Sequence, residues 1–362
     1  MRQLRIPGPT PCPDEVLQAM TKQMINHRSE EYGQLQDDLT AKLKQLFQTE
    51  NDILLLTGSG TGGLEAAIVN MLSPGDRVLS VSIGVFGERF ATIAGQFGAE
   101  VISIKFEWGK AADAGAVRKA LQDNPGIKAV LVTHNETSTG VTNDLEAISS
   151  VVKEFDKLLI VDAVSSVGAI DLPVDKWCCD VVITGSQKGW MVPPGLTMVS
   201  VSQEAWRAHE QAKMPRFYWD FSKARSFAEK KQTPWTPALS VMYGLQVSLE
   251  LMLKEGLPNI FARHRRIGQT ARNEVKSLGL SLFADEACAS DVVTAVAATG
   301  GLDVKKLVKV MGEEHEIVLA GGQQTLGGKI FRIGHLGWVS EQNITDVILA
   351  LKTALPQAGF AV

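Results

Sequence analysis

The sequence predicts an α/β protein: a mostly parallel seven-stranded sheet with helices on both faces, followed by a smaller α+β domain. Three observations carry that reading. Between about residues 51 and 201, short Val/Ile/Leu runs alternate with stretches of helical spacing, the pattern of strand–helix–strand units. Most of those runs are continuous rather than alternating, as in strands covered on both faces. Beyond about residue 237 the order changes to two long helices and then short strands mixed with helices.

The expected strands are Asp52–Thr57, Arg77–Ser82, Val101–Phe106, Ala129–Thr133, Leu158–Asp162, Val181–Thr184 and Thr197–Val201. Helical spacing falls between them at Leu64–Leu72, Phe86–Phe97, Ala116–Gln122 and Leu145–Phe155. Long helices are expected over Pro237–Lys254 and at about Ile260–Leu278. The smaller domain adds strands Leu280–Phe283, Val292–Ala297, Ile317–Ala320 and Ile330–Ile333, with helices at Val304–Met311 and Glu341–Leu355. The start of the chain cannot be helical before Pro13 and is expected on the surface, crossing between domains. The organisation is an N-terminal segment (1–15), a large α/β domain (16–255) and a small α+β domain (256–362).

Charge and composition narrow the function. The 36 Lys plus Arg and 40 Asp plus Glu leave a net charge of −4, with no long block of one sign. Binding to nucleic acid or to a membrane surface has no electrostatic support. No apolar run approaches the roughly 18 residues of a membrane helix, and no signal-peptide stretch opens the chain. A cytoplasmic protein is expected. Cys12, Cys178, Cys179 and Cys288 do not make a disulfide framework, and Cys178 and Cys179 read as buried small hydrophobes. Neither Cys-x-x-Cys nor His-x-x-x-His occurs, so no metal site is expected.

Three motifs carry chemistry. Thr57-Gly58-Ser59-Gly60-Thr61-Gly62-Gly63 runs from a strand into a helix, where glycines admit a ligand and unpaired N–H groups attract an anion. Gly58, Gly60 and Gly63 satisfy the dinucleotide spacing, but the next strand ends at Ser80-Val81-Ser82 without the acid that would bind a ribose. A single phosphate fits better. Asp162 ends the strand Leu158–Asp162, at the edge where open α/β sheets bind ligands. A capping role is the alternative for a lone Asp there. Lys188 follows Val181–Ile183 in Gly185-Ser186-Gln187-Lys188, and burial there would lower its pKa and make it a nucleophilic amine. Phosphate cradle, acid and lysine on one sheet edge match pyridoxal phosphate chemistry.

With these residues the chain resembles the class V aminotransferases of the fold-type I pyridoxal phosphate enzymes, in particular the alanine–glyoxylate and serine–glyoxylate types. Pro7-Gly8-Pro9-Thr10, Asn135-Glu136-Thr137-Ser138-Thr139-Gly140, Val161-Asp162-Ala163-Val164 and Phe331-Arg332-Ile333-Gly334 extend the likeness along nearly the whole chain. The resemblance implies that Lys188 forms the Schiff base and moves the proton, and that Asp162 pairs with the pyridinium nitrogen. Thr137 bonds near the ring oxygen, Val164 packs on one ring face and Phe86 stacks on the other. Phe86 stands where several relatives have a larger Trp or Tyr. Ser59, Gly60, Thr61 and Gln187 hold the phosphate. Thr236 reaches the phosphate of the neighbouring subunit, which implies a homodimer. Gly8 and Arg332 bind substrate, Arg332 through a fork on the α-carboxylate. Only one arginine stands at a carboxylate position, which favours a small amino acid, alanine or serine, reacting with glyoxylate by ping-pong transamination. His27, His134, His335 and Glu136 read as supporting groups. A lyase or a desulfurase using Cys288 is the alternative within the fold, and a nicotinamide dehydrogenase the alternative outside it.

Overall fold

A computed structural model describes residues 2–361. Seven strands form the central sheet: β1 (Asp52–Gly58), β2 (Arg77–Ser82), β3 (Glu100–Lys105), β4 (Ile127–Thr133), β5 (Leu158–Asp162), β6 (Val181–Gly185) and β7 (Gly195–Val201). Their order is β1-β7-β6-β5-β4-β2-β3. Only β7 is antiparallel to its neighbours. The expected mostly parallel sheet of seven strands is therefore the one observed.

The continuous apolar runs have a direct cause. Successive side chains of a strand point to opposite faces, and here each face meets its own core. Val130, Val132, Leu159, Val161 and Val182 enter one core, with Leu39 and Leu43 of the helix Glu30–Phe47 and Leu245 and Leu249 of the helix Leu239–Glu255. Ala129, Leu131, Ile160, Val181 and Ile183 enter the other, with Leu64 and Ile68 of the helix Gly60–Met71 and Trp206 of the helix Gln203–Gln211. Burying one such aliphatic side chain stabilises the fold by roughly 1.5–3 kcal/mol, which favours apolar residues on both faces of the inner strands.

The helix Glu30–Phe47 is not among the expected elements. Tyr32, Leu35, Leu39, Leu43 and Leu46 recur at helical spacing and are buried, but polar residues fill the positions between them. Ser29 caps it, its side chain accepting from Tyr32 N at 3.3 Å.

In the C-terminal part, Ser281–Leu282, Val293–Ala297, Ile330–Gly334 and Ala320–Gly321 form a four-stranded antiparallel sheet in that order. The helices Leu257–Ser277, Val304–Glu314 and Glu341–Gln357 pack with it around a third core. The expected strand Ile317–Ala320 is divided. Ile317–Val318 pairs in parallel with Gln3–Leu4, whereas Ala320 pairs with Arg332.

That pairing corrects the expected surface path of the N-terminal segment. Arg5, Pro7 and Thr10 are buried, and Gly334 N donates to Arg5 O at 2.7 Å. Extended backbone needs partners for its amides, and the C-terminal strands supply them. A second correction concerns Cys178, which is exposed. It occupies a turn with φ of 48°, which directs its side chain away from the core that receives Cys179.

Candidate active site

The segments that follow β1, β2, β4, β5 and β6 open at one edge of the sheet, the carboxyl edge of its parallel strands. A cleft of about 160 Å³ lies there, lined by Gly60, Thr61, Phe86, Thr137, Asp162, Val164, Gln187 and Lys188 among others.

Gly60 begins the helix Gly60–Met71. A Cβ at Gly60 would lie 2.5 Å from Val164 Cγ2, so only glycine lets the helix N-terminus approach the strand end so closely. Ser59 precedes it as an exposed N-cap whose side chain makes no capping bond. From outside the cleft, Trp219 packs its ring against Gly58 and Gly62 and donates Nε1–H to Glu65 at 3.1 Å. Gln187 Oε1 is buried without a hydrogen-bond partner.

Lys188 sits in a loop held by the N-terminal segment. Thr10 N donates to Gln187 O at 3.0 Å, and Thr10 Oγ1 donates to Lys188 O at 2.9 Å. The amine donates to Pro7 O at 2.5 Å, and a Cβ on Gly8 would fall 2.5 Å from Nζ. Burial lowers the amine's pKa to about 8, against the opposing charge of Asp162.

Asp162 is buried at the end of β5 and accepts from Val164 N at 3.0 Å. Burial raises its pKa to about 6, with the Val164 amide and the Lys188 charge pulling it back down. It forms no ion pair among the described residues. Such a carboxylate calls for a cationic partner.

Arg332 is buried on the strand Ile330–Gly334. Its Nε and Nη2 donate to Gly321 O at 3.1 and 2.7 Å, and Nη1 donates to Thr137 O at 3.0 Å. Burial lowers its pKa to about 10. Three of the five guanidinium N–H groups are thus held by carbonyls. One on each terminal nitrogen remains for a carboxylate.

Phe86 stands in the first turn of the helix Val85–Gln96. The buried Glu136 caps that turn from a distant segment. Its Oε2 accepts from Phe86 N at 2.9 Å and Gly87 N at 3.1 Å, while Oε1 accepts from Ser138 N at 3.1 Å and Ser138 Oγ at 2.6 Å. Burial raises its pKa, and the Ser138 and Gly87 donors oppose the rise. A carboxylate at a helix N-terminus is stabilised there, and this one fixes the backbone of the turn that carries Phe86.

Two groups escape the sequence reading. Glu136 is recognisable as a cap only once the chain has folded, because it lies about 50 residues from the helix it caps. Arg89 is the arginine that lines the cleft, whereas Arg332, the one expected from the sequence, is not among the lining residues and reaches the site only through the Thr137 carbonyl. The Arg89 guanidinium lies 4.7 Å from the Phe86 ring centroid, and Nη1 is 3.5 Å from Thr61 Oγ1. Its position one helical turn after Phe86 is the signal that could have revealed it.

Thr236 does not line this cleft. It is exposed in a loop that Arg28 holds through Thr233 O at 2.5 Å and Gln232 Oε1 at 3.1 Å. His134 and His335 do not line it either. His335 lies between Thr294 Oγ1 and Asp291 O, at 2.8 and 3.1 Å.

A buried acid with no ion pair among the described residues, a lysine amine of lowered pKa, a glycine cradle that a Cβ would fill and an orphaned Gln187 amide oxygen fit pyridoxal phosphate. The sequence profile of the aminotransferase class-V family matches residues 4–340. The chain belongs to this family.

The class V chain is 48% identical over 359 residues to the soluble hydrogenase 42 kDa subunit of Anabaena cylindrica, covering 98% of this chain and 94% of that protein. It is 36% identical over 370 residues to the serine–glyoxylate aminotransferase of Methylorubrum extorquens, covering 99% and 92%. The crystal structure of an alanine–glyoxylate aminotransferase from Nostoc sp. superposes with a TM-score of 0.95 at 31% identity, covering 98% of this chain and 95% of that one. The resemblance read from the motifs is borne out. The class V chain has the fold of the fold-type I enzymes and is a pyridoxal phosphate-dependent aminotransferase.

Proposed function

We propose that this aminotransferase moves the amino group of a small amino acid, alanine or serine, to glyoxylate or a similar 2-oxo acid. The observation that carries the reading is the placement of Lys188 and Asp162 in one cleft beside the glycine cradle. Serine–glyoxylate and alanine–glyoxylate relatives along nearly the whole chain support the substrate class.

When bound, pyridoxal phosphate supplies a carbonyl that condenses with amines and a ring system that accepts electrons from the substrate Cα. The chain's residues do the rest. Ser59, Gly60, Thr61 and Gln187 hold the phosphate, with Thr236 contributed across the interface of a homodimer. Val164 and Phe86 enclose the ring, and Thr137 bonds beside its oxygen. Asp162 keeps a proton on the ring nitrogen. Lys188 Nζ, unprotonated once freed from the ring, would take the proton from the substrate Cα and deliver it to the cofactor's C4′, and would move a proton the opposite way in the second half of the cycle. Gly8 leaves room for substrate against the lysine, and Arg332 orients the α-carboxylate with its two remaining N–H groups. We place the cofactor-binding unit at 16–255 and the smaller unit at 256–362; the final residue of that range lies outside the described residues. The cytosol is the proposed location, supported by four unpaired cysteines and by the absence, among the described residues, of a helix long and apolar enough to cross a membrane.

The desulfurase alternative draws less support. Cys288 lies in the short turn Glu286–Cys288 and outside the residues lining the cleft. Burial raises its thiol pKa, the reverse of what a nucleophilic cysteine needs.

The reading is tested by mixing cofactor-loaded protein with single amino acids and following the half-reaction spectroscopically. Alanine and serine are expected to convert the cofactor to its aminated form, and glyoxylate to reverse the change. Conversion by aspartate alone would move the substrate class, and no conversion by any amino acid would sink the transaminase reading. Arg332→Lys is expected to raise KM for every α-amino acid by roughly tenfold or more, because a point charge replaces a two-pronged donor. Steady-state KM values unchanged from wild type would remove Arg332 from the carboxylate site.

A further inference from the structure

The groups proposed above to hold the phosphate, Ser59, Gly60, Thr61, Gln187 and a neighbour's Thr236, are all neutral. The ligand they hold is a dianion. Among the residues lining the cleft only Lys188 and Arg89 are cations, and Lys188 is committed to the amine chemistry. Arg89 projects from the first turns of the helix Val85–Gln96 toward the cradle. Its Nη1 lies 3.5 Å from Thr61 Oγ1, in the first turn of the cradle helix. Its guanidinium stacks over Phe86, with 4.7 Å from Cζ to the ring centroid, which restricts where the fork can point. Arg89 makes no ion pair among the described residues, and its neighbour Glu88 is paired with Lys105 at 3.1 Å.

We propose that Arg89 is the charge partner of the cofactor phosphate, closing the cradle from the side of the ring-stacking helix. This rests on the pyridoxal phosphate reading of the cleft and adds to it a residue that the family motifs did not supply.

The test compares two ligands that differ only in the phosphate. Cofactor-free protein is titrated with pyridoxal 5′-phosphate and, separately, with pyridoxal, following protein fluorescence. Arg89→Gln is expected to weaken binding of the phosphorylated ligand by roughly tenfold to a hundredfold, the range for a lost charge-assisted hydrogen bond. Pyridoxal binding should stay within about twofold of wild type, since no phosphate contact is lost. Arg89→Lys is expected to recover part of the loss. Inorganic phosphate should compete with the phosphorylated ligand on wild type and far less on Arg89→Gln. Arg89→Met keeps an aliphatic stem over Phe86 and should show the same phosphate-specific loss, which guards against a folding defect in the Gln variant. Equal weakening of both ligands would make Arg89 a support for Phe86 alone and overturn the proposal, as would unchanged affinity for the phosphorylated ligand. Borohydride trapping separates the two readings. Trapping on Lys188 in wild type with no phosphate-specific effect at Arg89 defeats only this inference. Failure to trap Lys188 in wild type defeats the cleft reading itself.

Discussion

Lys188→Ala is expected to abolish transamination and to remove the site at which borohydride fixes the cofactor to the chain. Loss of the positioned base alone costs on the order of 10²- to 10⁴-fold, and here the same amine is the covalent anchor. The measurement is a steady-state rate together with peptide mapping of the reduced, cofactor-loaded protein. Wild type should carry the label on Lys188 and the variant nowhere. A label on a different lysine, or near-normal cycling of amino groups in the variant, would remove Lys188 from its role. Burial adds a pH signature. In the cofactor-free protein the amine loses its proton near pH 8. Only the neutral amine attacks a carbonyl, so the rate of cofactor capture should climb as pH rises through about 8. A lysine of ordinary pKa would put that climb at higher pH.

Asp162→Asn should have the second largest effect. Asparagine can occupy the same space and bond the same ring nitrogen, but it cannot offset a positive charge there. The expected result is a fall in kcat on the order of a hundredfold to a thousandfold, with cofactor still bound. A second readout separates this role from a structural one. Asp162 titrates near pH 6 in the cofactor-free protein because burial disfavours its charged form. The carboxylate is the form that pairs with a protonated ring, so cofactor affinity should rise as pH climbs through about 6. The asparagine variant should lack that rise while keeping the one that belongs to Lys188. Identical pH profiles for variant and wild type would sink the assignment.

The two effects share a cause in the fold. β5 and β6 are neighbouring parallel strands, and Asp162 is paired in register with Ile183. The turns that follow the two strands therefore emerge side by side at one edge. An acid and an amine 26 residues apart in sequence (188 − 162) are delivered into one cleft.

Much of this was legible in the chain. Most strands of the central sheet carry a continuous apolar run because both their faces are covered, and such runs can be seen without knowing their neighbours; the edge strand Glu100–Lys105 is the exception, with no fully buried residue. The glycine cradle, Asp162 and Lys188 follow strands directly, so local order sufficed to put them at a common edge. The helix Glu30–Phe47 was harder to see because polar residues separate its buried anchors. The N-terminal segment was misplaced because a proline-rich extended stretch carries no internal sign of what it pairs with. Its partner, Ile317–Val318, lies more than 300 residues away.

What the sequence determined by itself is therefore the α/β class, the sheet edge that bears the chemistry, and the acid, lysine and glycine turn that the chemistry needs. These depend on periodicity and on the residue following each strand, and both are local properties. What only the tertiary structure decided is the second ring of contacts. Pro7 receives the Lys188 amine, Glu136 caps the helix that carries Phe86, Gly321 and Thr137 carbonyls hold Arg332, and Arg89 reaches toward the cradle. Most of these join segments that no spacing rule connects. Each exists because a buried donor, acceptor or charge must find its complement in the packed interior, and only the folded arrangement settles which complement is within reach.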